Sequence, residues 1–305
     1  MRGLFQQTVR LDWAIYGSHA PFYMALDEKM YEKAGLDVSI GEGQGSATVA
    51  KIVGQGNDPI GFIDFTSTIR AVEQGIPLVA IGRVISNVMC IISSADAPIR
   101  APKELEGKVV AYAPAESTGQ MLAALLQQNN VDASKINVLN PATGAKNAAF
   151  LQGRAEAIPA NVNVQVAQLE EQGAKLYYFL FSDFGVDMMN NGIVANANWV
   201  QQNRDAAKAF VRASLDAFKA AQEDPEKAID LLIKRVPQQA RNKSVLRRQL
   251  ELTFPSLETR STKGRPFGLM ANQDWHQTQL LLLKHGGLPK AVELSKLYTN
   301  EFVEL

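Results

Sequence analysis

The chain has 305 residues, more than one hydrophobic core usually organises, so two lobes of roughly 100 to 200 residues each are expected. Apolar residues make up 46% and charged residues 20%, the balance of a globular protein, which excludes a largely disordered chain. Lys plus Arg (31) equal Asp plus Glu (31), so no overall field draws the molecule to nucleic acid or to an anionic membrane.

Strand and helix patterns alternate from Val9 onward. Val9, Leu11 and Trp13 share one face of a strand, and Pro21 to Lys33 reads as one amphipathic helix stopped by Gly35. Leu36 to Ile40 is the next strand, Gly43-Gln44-Gly45-Ser46 leads into a helix through Val53, and Ile60 to Ile63 is a short strand. A helix over Thr66 to Gln74 and a strand over Pro77 to Arg83 follow. Val88 to Ile92 reads as a buried strand whose single cysteine, Cys90, is an inert core thiol that forms no intrachain disulfide or zinc cluster.

After the polar stretch Ser93 to Pro102 a second series begins. Its strands fall near Lys108 to Tyr112, Ile136 to Asn140, Ala155 to Ile158 and Lys175 to Phe181, and its helices near Ser117 to Gln128, Thr143 to Leu151 and Val162 to Gln172. From Trp199 the pattern is helical, over Val200 to Ala221, Pro225 to Lys234, Lys243 to Thr253, Asn272 to His285 and Pro289 to Phe302. Repeated βα units imply mostly parallel sheets covered by helices. The expected plan is a discontinuous first lobe, 8–95 and 195–305, with a second lobe, 96–194, inserted between crossovers near Ser93 to Ala101 and Gly192 to Asn198. Such a plan places a ligand cleft between the lobes, where the carboxyl ends of parallel strands meet.

Several segments, in order and spacing, carry a resemblance to a known family. They are Leu11-Asp12-Trp13, His19-Ala20-Pro21-Phe22-Tyr23-Met24-Ala25, Tyr31 to Val38, Gly43 to Ser46 and Gly61 to Asp64 in the first part of the chain. Gln74 to Ala80, Leu105 to Val110, Leu151 to Ala157 and Leu169 to Gly173 extend the match over most of the rest. The chain resembles the extracytoplasmic solute-binding proteins of ABC importers for thiamine-pyrimidine precursors, sulfonates, taurine and nitrate. The resemblance implies the type II periplasmic-binding-protein fold, a two-lobed α/β receptor that binds a small organic solute with high affinity by hinge closure. It also implies delivery to a permease in the inner membrane, a location at the periplasmic or extracellular face, no cofactor and a monomer. No charged-then-apolar leader opens the chain and no segment approaches the roughly 18 apolar residues of a membrane span, so export implies a leader already removed.

Within this scaffold the turns after the strands supply candidate ligand contacts. Trp13 and Tyr16 offer aromatic faces for a flat ligand, whereas continuation of the Val9 and Leu11 face would put Trp13 in the core. His19 is either a ligand contact or a helix-entry residue bonded to backbone, and Phe22 belongs to the same strand-turn-helix. Gly45 and Ser46 form either an N–H nest for a bound acceptor or an ordinary capped turn. Asp64, with Thr66, either accepts from ligand N–H groups or caps the following helix. In the second lobe the candidates are Ser117 and Thr118 at a helix start, Asn161, Asn163 and Gln165 after a strand, and, more weakly, Asp183. Each has a capping or solvated-turn alternative. The basic run Arg241 to Arg248 has the spacing of a solvated helix face without interleaved aromatics.

A rival class exists, because the resemblance extends to eukaryotic thiamine-pyrimidine synthases, which consume pyridoxal phosphate held on an active-site Lys beside a His. Alignment through Gly61 and Gly75 puts Ile63 and Ser67 at those two positions, and no Cys-rich segment precedes Gly192-Ile193-Val194-Ala195. Without the amine that chemistry has no nucleophile, and no G-x-S-x-G, P-loop or H-E-x-x-H motif occurs, so no enzyme activity is expected. Pyrimidine-precursor binders carry a Glu in the segment matching Asn161 to Gln165, which here holds amides. A small aromatic or heterocyclic solute is therefore the first expectation and a sulfonate, taurine or carboxylate the second.

Overall fold

The computed structural model describes residues 4–113, 116–142 and 145–303. The first half alternates β1 (Phe5–Arg10), α1 (Ala20–Asp27), α2 (Met30–Lys33), β2 (Leu36–Gly41), α3 (Ser46–Gly54), β3 (Ile60–Asp64), α4 (Phe65–Glu73), β4 (Leu78–Arg83) and β5 (Met89–Ser94). Then come β6 (Val109–Ala111), α5 (Ser117–Gln128), β7 (Asn137–Leu139), α6 (Lys146–Leu151), β8 (Ala157–Asn161), α7 (Ala167–Glu171), β9 (Leu176–Leu180) and β10 (Asn191–Asn196). The rest is helical: α8 (Ala197–Gln202), α9 (Arg204–Glu223), α10 (Pro225–Arg235), α11 (Lys243–Thr253), α12 (Asn272–Lys284) and α13 (Leu294–Leu297).

The chain forms two compact units. Unit 1 comprises 1–86, 189–279 and 290–305, and unit 2 comprises 87–188 and 280–289. Each holds one five-stranded sheet, ordered β2-β1-β3-β10-β4 in unit 1 and β7-β6-β8-β5-β9 in unit 2. Four strands of each sheet run the same way and one is reversed, β10 in the first and β5 in the second. Both reversed strands directly follow a crossing from one unit to the other. The two crossings are stitched together: Ser86 bridges Met189, Asn87 donates its N–H to the Met188 carbonyl at 2.9 Å, and the Met188 N–H donates to Asn87 Oδ1 at 2.8 Å. These two crossings lie at 86–87 and 188–189, beside the expected segments 93–101 and 192–198, and the chain passes between the units twice more, at 279–280 and 289–290, which the expected plan does not include.

Local chemistry explains where the elements differ from the sequence pattern. The apolar period from Pro21 to Lys33 is interrupted at Lys29, which has φ of 58°, so it forms two helices. Over 162–172 a π-helical turn, Val162–Val166, precedes α7. The expected helix over Pro289 to Phe302 shrinks to Leu294–Leu297. Leu297 and Phe302 are buried, and Thr299 donates its N–H to the Ala80 carbonyl at 3.0 Å, so tertiary bonds to β4 replace a continued helix here. The expected helix from Thr143 begins at Lys146, and Thr143 and Gly144 lie outside the described residues. In the basic run, Lys243 pairs with Glu226 and Asp230, and Arg247 with Glu226 and Glu251, which makes it a charge-compensated helix surface.

Candidate functional site: the strand ends of each unit

In unit 1 the side chains of interest gather where β1 and β3 end and the reversed β10 begins. Register puts Asn191 opposite Asp64, so the start of β10 lies beside the carboxyl end of β3. Asp12, two residues past β1, is the hub. Its carboxylate accepts from His19 Nε2 at 2.7 Å, from Asn191 Nδ2 at 3.0 Å and from the Tyr16 hydroxyl at 3.3 Å. The Tyr16 N–H donates to His19 Nδ1 at 3.4 Å, which fixes Nε2 as the protonated ring nitrogen. Burial, then the neighbouring Asp12 charge, holds the Tyr16 phenol well above its usual range, so it stays a donor.

The turn from 16 to 19 is anchored from behind by α11. The Gly17 N–H donates to Gln249 Oε1 at 2.9 Å, and Ser18 Oγ lies 2.6 Å from Thr253 Oγ1. Trp13 escapes this packing. It is 57% exposed, and its ring edge lies beside Gly45, so the core position that the Val9 and Leu11 alternation allowed is not taken. Gly43 makes that placement possible, because a Cβ there would sit 2.0 Å from the Leu11 carbonyl oxygen. The Gly43 and Gly45 N–H groups donate to the Trp13 and Asp12 carbonyls at 3.3 and 2.8 Å, so this turn holds the Trp13 loop and those two amides are not open to an anion.

Ser46 opens α3 and accepts from the Asp64 N–H at 3.1 Å, joining the β3 end to the same turn. Asp64 caps α4. Its Oδ1 accepts from the Thr66 N–H at 2.9 Å, the Ser67 N–H at 3.4 Å and the Thr66 hydroxyl, and among the described residues all three bonds fall on that one oxygen. Burial, opposed by these bonds, pushes the Asp64 carboxyl up to about 6. Capping is thus its structural role, and Oδ2 keeps acceptor capacity.

Phe22, named with this group from the sequence, lies elsewhere. It is fully buried in edge contact with Phe62 and Phe218, because the α1 face that carries it turns toward the core. His19 is also fully buried and acts on Asp12. Asp12 and Asn191 were missed as candidates. The only sequence signal was a carboxylate placed directly after an apolar strand face. Asn191 has none, since its partner is 179 residues away. Cavities of about 600 and 400 Å³ in unit 1, lined in part by Phe5 and Leu36 and by Thr8 and Ser39, contain none of these residues.

Unit 2 repeats the arrangement with different chemistry. Ser117 is exposed at the start of α5 and Thr118 is buried behind it. Gly119 lets the helix close onto the end of β6, since a Cβ there would lie 2.7 Å from the Ala113 carbonyl oxygen. Lys146 Nζ lies 2.6 Å from Glu116 Oε2 and donates to Thr118 Oγ1 at 3.1 Å, a buried cluster that no sequence period announces. After β8, Gln165 Oε1 accepts from the Asn161 N–H at 2.8 Å. Asn161 Oδ1 is buried without a hydrogen-bond partner, and Asn163 is buried beside it in the π-helical turn. Asp183 is exposed and accepts from the Leu180 N–H at 2.9 Å, so it caps its own turn. Cys90 is fully buried in β5, and burial pushes its thiol up. Among the described residues no group of three or more His, Cys, Asp or Glu side chains is placed to hold a metal, and no helix is long and apolar enough to cross a membrane.

Two α/β units joined by paired crossings, with polar and aromatic groups collected at their strand ends, define a binding-protein architecture. The model of the family described as NMT1/THI5 like matches residues 17–228, and the chain belongs to that family. The formylaminopyrimidine-binding protein of Halalkalibacterium halodurans is 23% identical over 288 residues, covering 93% of this chain and 86% of that protein. The riboflavin-binding protein RibY of Chloroflexus aurantiacus is 23% identical over 310 residues, covering 98% and 86%. Among solved structures, the periplasmic aliphatic sulphonate binding protein SsuA of Escherichia coli matches with a TM-score of 0.72 at 17% identity, covering 95% of this chain and 91% of that one. The fold is that of the periplasmic binding proteins.

Proposed function

We propose that this protein is the solute-binding component of an ABC importer, held outside the cytoplasmic membrane, and that it binds a small aromatic or heterocyclic molecule and hands it unchanged to a permease. The observation that carries this reading is Trp13, 57% exposed on a loop pinned by the Gly43 and Gly45 amides, next to a carboxylate already held by three donors. A large apolar ring kept in water by a rigid loop lacks a structural purpose in the unit itself, and an aromatic face gives a flat ligand stacking of about 0.5 to 1.5 kcal/mol beyond burial. The two curated relatives above are named for flat heterocycles, formylaminopyrimidine and riboflavin, which agrees with this choice. An anion is disfavoured in unit 1 because the glycine amides are engaged and Asp12 and Asp64 repel negative charge.

The ligand contacts in this reading are Trp13, Tyr16, Asp12, Ser46 and Asp64 with Thr66 from unit 1. In unit 2 the polar candidates at the strand ends are Ser117, Thr118, Asn161, Asn163 and Gln165. Catalysis is not part of the proposal, since Ile63 is buried in β3 and Ser67 sits in α4 where the synthases have Lys and His. Ligand uptake by hinge flexure uses the segments where the chain passes between the units, 86–87 and 188–189 among them, and the monomer is the acting form. The test is a thermal-shift and calorimetric screen with formylaminopyrimidine, riboflavin and an alkanesulfonate. A saturable rise in melting temperature with either heterocycle supports the reading, and a response to the sulfonate alone rejects the ligand class.

A further inference from the structure

We propose that Lys146 is a positioning residue whose buried ammonium, clasped by Glu116 and Thr118, fixes the first turn of α5 as the surface unit 2 offers to ligand. Lys146 is only 5% exposed, and burying an ammonium is costly unless it is paired and hydrogen-bonded. Its placement is also unfavourable on its own. Its Nζ is held at Thr118 in the first turn of α5, so a cation stands at a helix amino terminus, where the peptide dipoles favour anions. Glu116, immediately before α5, offsets that charge at 2.6 Å from a position 30 residues earlier in the chain.

What the arrangement secures is geometric. Glu116 comes after β6 and Lys146 after β7, two neighbouring strands, so one ion pair ties the start of α5 to the start of α6. The Glu116 N–H donates to the Ala113 carbonyl at 3.0 Å, and Gly119 permits the close approach of helix to strand. The proposal rests on unit 2's strand ends being a ligand surface, as argued under the proposed function.

The experiment compares wild type, Lys146→Met and the double variant Lys146→Met with Glu116→Gln, using formylaminopyrimidine and riboflavin as probes. Lys146→Met removes the ammonium that Glu116 and Thr118 hold and is expected to lower both the melting temperature and the affinity. The double variant removes both charges, so its melting temperature recovers while affinity stays about 10- to 100-fold weak, because the clasp is still missing. Recovery of affinity together with stability would make the pair merely structural and overturn the proposal. Amide exchange without ligand gives a second readout. Residues 118–121 should exchange about tenfold faster in the double variant, with β5 and β8 unchanged, and equal protection at 118–121 overturns the proposal equally. If neither probe binds the wild type, the ligand class above fails, while the exchange measurement still decides whether Lys146 fixes the turn.

Discussion

His19 Nε2 lies 2.7 Å from Asp12 Oδ1, with the imidazole fully buried and the carboxylate 14% exposed. A ring with no access to solvent thus orients a carboxylate that has some, and the hydrogen bond links the start of α1 to the loop that carries Trp13. Removing the carboxylate strands three donors at once, those of His19, Tyr16 and Asn191. Asp12→Ala should therefore destabilise unit 1 by about 3 kcal/mol or more, since each of the three unmade bonds costs about 1 to 3. Urea unfolding of Asp12→Ala, His19→Ala and the double variant checks this. A coupling above about 1 kcal/mol is expected, and additive effects would show that the two side chains act independently.

Trp13→Ala should leave stability within about 0.5 kcal/mol of wild type, because the side chain is mostly exposed, yet weaken heterocycle binding by about 1 to 3 kcal/mol. Paired melting and calorimetric titrations separate the two effects. A large stability loss with unchanged affinity would return Trp13 to a packing role.

The Asp64 carboxyl, pushed up to about 6 by burial, gives a signed pH dependence. The fold favours the protonated form relative to the unfolded chain, whose Asp titrates near about 3.9, so this contribution is fully present below about pH 4 and is lost as pH rises through about 6. Asp64→Asn retains a good cap and removes the titration, so the stability difference, wild type minus variant, should fall between pH 4 and 7. A ligand that donates to Asp64 favours the ionised form, and its affinity should rise over the same window in wild type only. A flat difference across the window would refute the assignment.

Gly43→Ala places a Cβ against the Leu11 carbonyl oxygen and must displace the loop. A loss of about 1 to 3 kcal/mol is expected, with a red shift or quenching of Trp fluorescence as Trp13 changes surroundings. Unchanged stability and spectrum would mean that the loop is not pinned there.

Much of the fold was legible in the sequence, because βα periodicity is local: α5 and α11 begin and end where their apolar spacing and flanking residues place them. The crossings were harder, since Asn87 and Met188 announce no break and are paired only through tertiary bonds. Residues 289–302 misled for a different reason, as Leu297 and Phe302 are buried by tertiary packing although most of the segment is not helical. Among the candidate residues, those next to a strand end could be placed at their turns from the sequence, among them Trp13, Tyr16, Ser46 and Asp64. Asn191 and the Glu116–Lys146 pair could not, because their roles depend on partners 30 or more residues away. Phe22 shows the converse limit, since only packing against Phe62 and Phe218 decides which face of α1 is inside.

The most direct measurement is isothermal titration of the purified protein with formylaminopyrimidine and riboflavin, followed by mass spectrometry of the recovered ligand. The account predicts saturable one-site binding of at least one heterocycle, weakened in Trp13→Ala, with the ligand returned chemically intact. Absence of heat from both compounds, or recovery of a converted product, would contradict it.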